Sequence, residues 1–217
     1  MKLKKRYRSW LRRSGRKVPE FLLEDDVRAM RRMAALIEEN DVVIDFGAHV
    51  GLASIEFALA GAKVYAFEPN PENFAELRRN TANYPRISIY EKAVSDKSGY
   101  ARLYFEPTGP TKYFEGATIV EGKSNIGYDH HFEVETISAT EIFDMIQGPI
   151  AVIKMDIEGA EYRALDALIN SGQMDRVGKV YVECHVNRMP SLAKAKEHTL
   201  SLAKAAGVSH KLDFTWP

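Results

Sequence analysis

The chain has 217 residues, of which 45% are hydrophobic and 28% are charged, and its 30 basic side chains balance 30 acidic ones. This composition predicts a globular protein and excludes a disordered chain, while the zero net charge favours no particular partner. Cys184 is the only cysteine, which excludes an internal disulfide and a thiolate zinc cluster. No stretch approaches the about 20 apolar residues of a membrane span.

Residues 1–19 form a basic arm with nine lysines and arginines and no acidic side chain. Such an arm suits an anionic membrane surface, a nucleic acid or an acidic protein, although a solvated terminus often has the same composition. No apolar stretch of signal-peptide length follows it, so we predict no secretion signal and a cytoplasmic protein. Residues 20–217 are predicted to form a single domain.

Helical and strand-like hydrophobic patterns alternate along this domain. The predicted helices are 20–39, 50–60, 71–83, 138–146, 162–169 and 192–206. The predicted strands are 42–44, 63–67, 87–94, 100–105, 132–137, 150–153 and 179–184. This alternation predicts an α/β, Rossmann-like fold with a mainly parallel central sheet and helices on both faces. In such folds ligands bind at the carboxyl ends of the strands.

Residues 106–131 interrupt the alternation with four glycines, two prolines and scattered aromatic side chains. A segment this long without periodicity is typical of a functional lid or of disorder. We predict a lid that binds the acceptor substrate. The side chains in it that suit a sugar or another polyol are Tyr113, Phe114, Tyr128, His130 and His131.

A glycine turn follows the first predicted strand in the segment VVIDFGAHVG. Gly47 and Gly51 allow a ligand to approach the backbone closely, and Glu68 stands at the end of the next strand, where an acid can accept hydrogen bonds from ribose hydroxyls. The pattern predicts an adenosine-type ligand. His49 and Leu52 occupy two of the three glycine positions of a dinucleotide loop, so a nicotinamide cofactor is disfavoured.

Three carboxylates follow the apolar run 150–153 in the segment KMDIEGAE. Glu158 and Glu161 fall in the first turn of the next helix, where the helix dipole alone stabilises negative charge by about 0.3–1 kcal/mol. Asp156 lies at the strand tip, where the dipole does not explain it. A buried charge at that place needs a partner, a metal or a chemical role.

Five motifs occur in an order that we associate with one family: VIDFGAHVG, AFEPNP, AVSDKSG, IKMDIEGAE and VECH. From about Asp41 to His185 the chain resembles the FkbM family of S-adenosylmethionine-dependent methyltransferases. This resemblance implies a class I methyltransferase fold and S-adenosylmethionine as the cofactor. The cofactor-binding residues that it implies are Asp45, Gly47, Ala48, His49, Gly51, Glu68, Asn70, Ala93, Val94 and Asp156.

Within this set, the resemblance assigns the turn at 47–51 to the amino-acid end of the cofactor, Glu68 to the ribose and Asn70 to the adenine, while Asp156 faces the sulfonium. His49 stands where the family more often has asparagine, so its role is open between a cofactor contact and a structural hydrogen bond. The sheet of such enzymes usually ends in a hairpin, but only one late strand is predicted here. Its far edge is therefore short, unusual or completed by another chain.

Methylation of a hydroxyl needs a group that takes up the proton, and a positioned base assists by about 10²–10⁴-fold. Asp156, Glu183 and His185 are the candidate bases, since adjacent strand tips converge on one place. Lys154 shares the strand face of Asp156, where it pairs with a carboxylate or contacts the acceptor. A divalent metal such as magnesium or manganese is an alternative that we do not favour. Its candidate ligands are Asp156, Glu158, Glu183 and His185.

We predict a methyltransferase that uses S-adenosylmethionine to methylate a hydroxyl of a sugar, a glycan precursor or a natural product. The Asn/Asp-Pro-Pro-Tyr type of motif, which many amino-group methyltransferases carry, is absent after residue 155, and this favours oxygen. An RNA methyltransferase and a catalytically silent binding protein remain the alternatives, although nucleic acid is disfavoured. The arm 1–19 would allow peripheral membrane contact, and oligomerisation is left open.

Overall fold

The computed structural model describes residues 30–31, 33–106, 116–124, 126 and 128–216. The predicted basic arm 1–19 and two aromatic residues of the predicted lid, Tyr113 and Phe114, lie outside the described residues. Of the helix predicted over 20–39, the described part is helical as far as Ala34. A bilayer-spanning helix is absent from the described ranges.

The described residues contain nine strands and five α-helices. The strands are β1 (Val42–Phe46), β2 (Lys63–Phe67), β3 (Ile87–Tyr90), β4 (Ala93–Ser95), β5 (Gly99–Tyr104), β6 (His131–Ser138), β7 (Ile150–Met155), β8 (Val177–Glu183) and β9 (Leu212–Trp216). The helices are α1 (Leu52–Leu59), α2 (Pro71–Thr81), α3 (Ala139–Met145), α4 (Glu161–Asn170) and α5 (Ala193–Ala205).

The main sheet has six strands in the order β3-β2-β1-β7-β8-β9, and every neighbouring pair is parallel. This arrangement confirms the predicted Rossmann-like α/β class. From β1 the chain adds β2 and β3 on one side, and from β7 it adds β8 and β9 on the other side. The strand order therefore reverses between β1 and β7, and the crevice at the carboxyl ends of these two strands is where an open α/β sheet binds its ligand.

The core lies on both faces of this sheet, as β1 shows. Val43 packs in one cluster with Phe57 of α1 and Leu77 of α2. The next residue, Ile44, packs in a second cluster with Leu165 of α4. Successive side chains of a strand point to opposite faces, so helices cover the sheet on both sides. This is why β1 is a continuous apolar run instead of an alternating one.

The strand predicted over 87–94 is wrong in its extent. The chain leaves the main sheet after β3, and β4 belongs to a separate three-stranded sheet in the order β4-β6-β5. There β4 pairs parallel with β6 and β5 pairs antiparallel with it. The predicted strand 100–105 corresponds to β5, whose Tyr104 pairs with His131 of β6. β4 and β5 flank β6 on opposite sides. The break after Tyr90 carries Ala93 and Val94 to the ligand crevice.

The far edge of the main sheet is closed by this chain itself. After α5 the chain forms β9, which pairs parallel with β8 and sets Leu212 opposite Val180. The far edge is therefore unusual: a single parallel strand, β9, stands where the sheet of such enzymes usually ends in a hairpin. A register irregularity between Tyr181 and Glu183 accompanies this pairing.

Candidate active site

A cleft of about 330 Å³ opens at the carboxyl ends of β1, β2, β7 and β8. Its lining includes ten of the predicted site residues: Gly47, Ala48, His49, Glu68, Ala93, Val94, Lys154, Asp156, Glu158 and Glu183. Four others, Asp45, Gly51, Asn70 and His185, are not part of this lining. The topology thus brings together residues that are up to 136 positions apart in the sequence.

The turn after β1 is shaped by the close approach of two backbones. Gly47 has a φ of +78°, and a Cβ added there would lie 1.7 Å from the backbone oxygen of Asp156. The amides of Gly47 and Ala48 both donate to the carbonyl of Phe67, at 3.0 and 2.9 Å. This position accordingly requires glycine for two reasons, the left-handed φ and the lack of space.

Glu68 holds the turn and faces the cleft. Its Oε2 accepts from the backbone amide of His49 at 2.8 Å, and its Oε1 accepts from the amide of Asn70 at 2.9 Å. Burial raises the pKa of Glu68 to about 7, although the hydrogen bonds from Asn70 and His49 oppose this rise. Each carboxylate oxygen has a further lone pair, so Glu68 can accept additional hydrogen bonds from a ligand.

Three residues that the resemblance assigns to the cofactor lie outside the cleft lining and contact neighbouring residues. The Asn70 side chain is the N-cap of α2, because its Oδ1 accepts from the amides of Glu72 and Asn73 at 2.9 and 3.2 Å. Asp45 accepts from the Ser54 hydroxyl at 2.6 Å. Gly51 faces α2, where an added Cβ would lie 2.7 Å from Leu77. The structure thus gives Asn70 a capping role, and its predicted adenine contact stays a prediction.

Lys154 is buried and forms ion pairs. Its Nζ lies 3.2 Å from Asp45 Oδ1 and 3.6 Å from Asp156 Oδ2, and it donates to the carbonyl of Gly47 at 2.7 Å. Burial alone would lower the pKa of Lys154, but the charges of Asp45 and Asp156 outweigh burial and raise it. Lys154 thus remains an ammonium ion that joins the ends of β1 and β7 and neutralises buried carboxylates.

Asp156 and Glu183 present the acidic groups of the cleft wall. Asp156 follows β7 and Glu183 ends β8, and their side chains are 28% and 23% exposed. Burial raises the pKa of Glu183 to about 7, and the neighbouring Asp156 carboxylate contributes to the rise. These two carboxylates interact with each other and remain accessible from the cleft.

His185, one of the three predicted candidate bases, lies outside the cleft lining. Its side chain is 1% exposed, with Nδ1 2.9 Å from Glu161 Oε1 and Nε2 3.0 Å from Glu158 Oε2. Burial alone would lower the pKa of His185, but the two carboxylates outweigh burial and raise it to about 10. A protonated imidazole between two carboxylates has no lone pair to accept a proton.

Glu158 and Glu161 have different roles in the loop between β7 and α4. Glu161 is fully buried and accepts from the amides of Ile157 and Gly159, at 3.0 and 2.9 Å, so its carboxylate shapes the loop. Glu158 has a φ of +54° and lines the cleft. Burial alone would raise the pKa of Glu158, but His185 and Lys123 outweigh it and lower the pKa to about 2.

The described part of the predicted lid contacts this loop. The Thr118 hydroxyl donates to the backbone oxygen of Glu158 at 2.6 Å, and the fully buried Lys123 ammonium donates to Glu158 Oε2 at 2.6 Å. Gly116, Ala117 and Ile119 line the cleft. Sequence reasoning missed Lys123, because a single lysine in an aperiodic segment carries no pattern. In contrast, Tyr128, His130 and His131 lie outside the cleft lining.

Residues 45–207 match the family model described as the methyltransferase FkbM domain. The chain is 30% identical over 169 residues to hexuronic acid methyltransferase AglP of Haloferax volcanii, in a match that covers 77% of this chain and 64% of that protein. It is 27% identical to 31-O-demethyl-FK506 methyltransferase FkbM of Streptomyces tacrolimicus, covering 73% and 70% respectively. It is 28% identical to 2-O-methyltransferase NoeI of Sinorhizobium fredii, covering 62% and 60%.

Two solved structures resemble the chain at low identity. A precorrin-6y C5,15-methyltransferase from Geobacter metallireducens has a TM-score of 0.46 at 12% identity, covering 88% of this chain and 75% of that one. An rRNA methylase from Streptococcus thermophilus has a TM-score of 0.46 at 9% identity, covering 84% and 80%. The chain spans less than two thirds of the AglP and NoeI sequences, 64% and 60% respectively.

Proposed function

Because the chain belongs to the FkbM methyltransferase family, we propose that it transfers a methyl group from S-adenosylmethionine to a hydroxyl oxygen. The acceptor in this proposal is a sugar, a glycan precursor or a natural product. One observation carries it: the Asp156 and Glu183 carboxylates both line the cleft, interact with each other and are partly exposed. Names of the relatives, which include a hexuronic acid and two O-methylation positions, support the choice of acceptor.

The residues of the cleft fit S-adenosylmethionine. The volume of about 330 Å³ is within the usual range for small-molecule sites. The apolar side chains of Phe67, Val94 and Leu103 supply a wall for the adenine ring, and the Glu68 carboxylate can accept hydrogen bonds from the ribose hydroxyls. Asp156 provides negative charge toward a cationic ligand. When bound, S-adenosylmethionine supplies an electrophilic methyl group on a positively charged sulfur.

The side chains of the chain itself orient the acceptor and receive its proton. We assign the proton acceptor to Glu183, which faces the cleft beside Asp156. Lys154 fixes Asp156 from behind, because its ammonium lies between Asp156 and Asp45. Gly116, Ala117 and Ile119 line the cleft, and this part of its wall would limit the access of water to the reacting atoms. Orientation of the two substrates contributes up to about 7–11 kcal/mol in such reactions.

The test is transfer from tritium-labelled S-adenosylmethionine to paired acceptors. One member of each pair is a uronic acid or hexose glycoside, and the other carries an amine in place of one hydroxyl. The proposal predicts alkali-stable label in the hydroxyl compounds. Transfer that occurs only to the amines would refute oxygen as the acceptor atom. Binding of the cofactor without transfer to any acceptor would favour a catalytically silent protein.

The raised pKa of Glu68 predicts that cofactor affinity depends on pH. The ionised carboxylate accepts hydrogen bonds from ribose hydroxyls better than the neutral acid, and it is the form present above a pKa of about 7. S-adenosylhomocysteine is therefore expected to bind about tenfold more tightly at pH 8 than at pH 6. Isothermal titration at the two pH values measures this change. The Glu68→Gln variant should bind more weakly and with no such dependence, and an equal pH effect in that variant would contradict the assignment.

A separate prediction concerns the basic arm, which lies outside the described residues. If residues 1–17 bring the enzyme to anionic membranes, their deletion should lower binding to phosphatidylserine vesicles by at least tenfold at low salt, since each lysine or arginine near such a surface contributes about 1 kcal/mol. Vesicle co-sedimentation measures this binding, with neutral vesicles as the control. Unchanged binding after the deletion would remove the membrane role.

A further inference from the structure

We propose that Asp156, Glu158 and His185 form a binding site for one divalent cation of the Mn²⁺ type at the wall of the cleft. One ligand atom from each of these three residues lies within 4.8 Å of the others. His185 Nε2 is 3.0 Å from Glu158 Oε2 and 3.7 Å from Asp156 Oδ1. Neighbouring ligands of an octahedral cation with bonds of about 2.1 Å lie about 3 Å apart. The three side chains are thus close to coordinating distances.

The orientation of His185 is the second observation that indicates a cation. Its side chain is buried, and its two ring nitrogens contact carboxylates as ion pairs without the geometry of a normal hydrogen bond. Nδ1 faces Glu161 Oε1 at 2.9 Å, so Nε2 is directed toward Asp156 and Glu158. A carboxylate on one ring nitrogen and a metal on the other is the usual arrangement of a metal-bound histidine. The cation would replace the proton on Nε2.

The charges around this cluster also favour a cation. Five carboxylates converge at the ends of β1, β7 and β8, and they are Asp45, Asp156, Glu158, Glu161 and Glu183. The described cationic side chains that face them are Lys123, Lys154 and the protonated His185, so the five carboxylates exceed the cations by two. Arg188 reaches Glu158 at 3.9 Å but is 55% exposed, which weakens its contribution. A buried excess of negative charge is costly unless a cation compensates it.

The place of the site in the cleft suggests its use. Asp156 and Glu158 line the cleft and His185 lies behind them, so a bound cation would have open positions on the side of the acceptor. There it would lower the pKa of a coordinated hydroxyl. Glu183, whose Oε1 lies 3.6 Å from His185 Nε2, is positioned to take the released proton. This use rests on the proposed methyl transfer, whereas the binding of the cation does not.

The test is a titration of the full chain, freed of metals by chelation, with Mn²⁺ followed by electron paramagnetic resonance. The expected result is one bound Mn²⁺ per chain. Asp156→Asn and His185→Gln should each weaken binding at least tenfold, whereas Glu197→Gln, which alters an exposed carboxylate on α5, should not. Circular dichroism and thermal unfolding identify a variant that has lost its fold, and Asp156→Asn is the safer one because its side chain is partly exposed.

Two results would overturn the site: no Mn²⁺ binding at millimolar concentration, or one bound Mn²⁺ whose affinity is the same in all folded variants. Neither cofactor nor acceptor is present in this titration. Failure to bind Mn²⁺ would therefore leave the proposed methyl transfer intact, and failure to transfer methyl groups would leave the cation site intact.

Discussion

Replacement of Glu183 by glutamine is expected to lower turnover by about 10²–10⁴-fold, the usual contribution of a positioned general base. The amide has nearly the same shape as the carboxylate but cannot take a proton from the acceptor. Glu183 faces the cleft next to Asp156, and both are accessible to an acceptor. Binding of S-adenosylhomocysteine should change by less than about threefold, because the cofactor contacts proposed above are made by the turn after β1 and by Glu68.

Steady-state methyl transfer and isothermal titration on the same preparations measure the two effects. Glu133→Gln is the matched control, because it makes the same chemical change at an exposed position on β6. Near-normal turnover in Glu183→Gln would transfer the role of base to Asp156. A parallel loss of cofactor binding would instead mean that Glu183 supports the cleft and does not take part in proton transfer.

Replacement of Gly47 by alanine is expected to destabilise the protein by more than about 4 kcal/mol, an exceptional cost for a single substitution. The left-handed φ of +78° alone costs an alanine about 1–2 kcal/mol. The added Cβ would also lie 1.7 Å from the backbone oxygen of Asp156, so the ends of β1 and β7 would have to separate. The turn after β1 and the loop after β7, which both line the cleft, would then be displaced.

Gly207→Ala provides a matched control for the backbone strain. Gly207 has a φ of +72°, close to that of Gly47, but a Cβ added there would meet no atom within 4 Å. Its melting temperature should therefore fall by only about 2–8 °C, as 1–2 kcal/mol implies for a chain of this size. Gly47→Ala should lose more than about 10 °C and its binding of S-adenosylhomocysteine. Equal losses in the two variants would show that the contact with Asp156 carries no cost.

The sequence was sufficient to predict the residues at the strand ends. Gly47, Glu68, Asp156 and Glu183 each follow or end an apolar run, and the carboxyl ends of parallel strands meet at one edge of the sheet. Their convergence in one cleft follows from local patterns and from the topology rule. The family match confirms the resemblance of the motifs to the FkbM family.

Other features depend on contacts that the sequence does not reveal. The protonation of His185 is set by Glu158 and Glu161, whose distances exist only in the folded chain. The separation of β3 from β4 depends on pairing with β6, which follows about 40 residues later. For Asn70 the sequence does carry a local signal for the N-cap of α2, since an asparagine just before Pro71 is typical of that position.

The proposed function requires that the cleft binds S-adenosylmethionine and not a dinucleotide. Isothermal titration of the full chain with S-adenosylhomocysteine, and separately with NAD, measures this preference. We expect one S-adenosylhomocysteine bound per chain, weaker binding in Glu68→Gln, and no heat of binding with NAD. Binding of NAD in competition with S-adenosylhomocysteine, or no binding of S-adenosylhomocysteine at all, would refute the proposed cofactor.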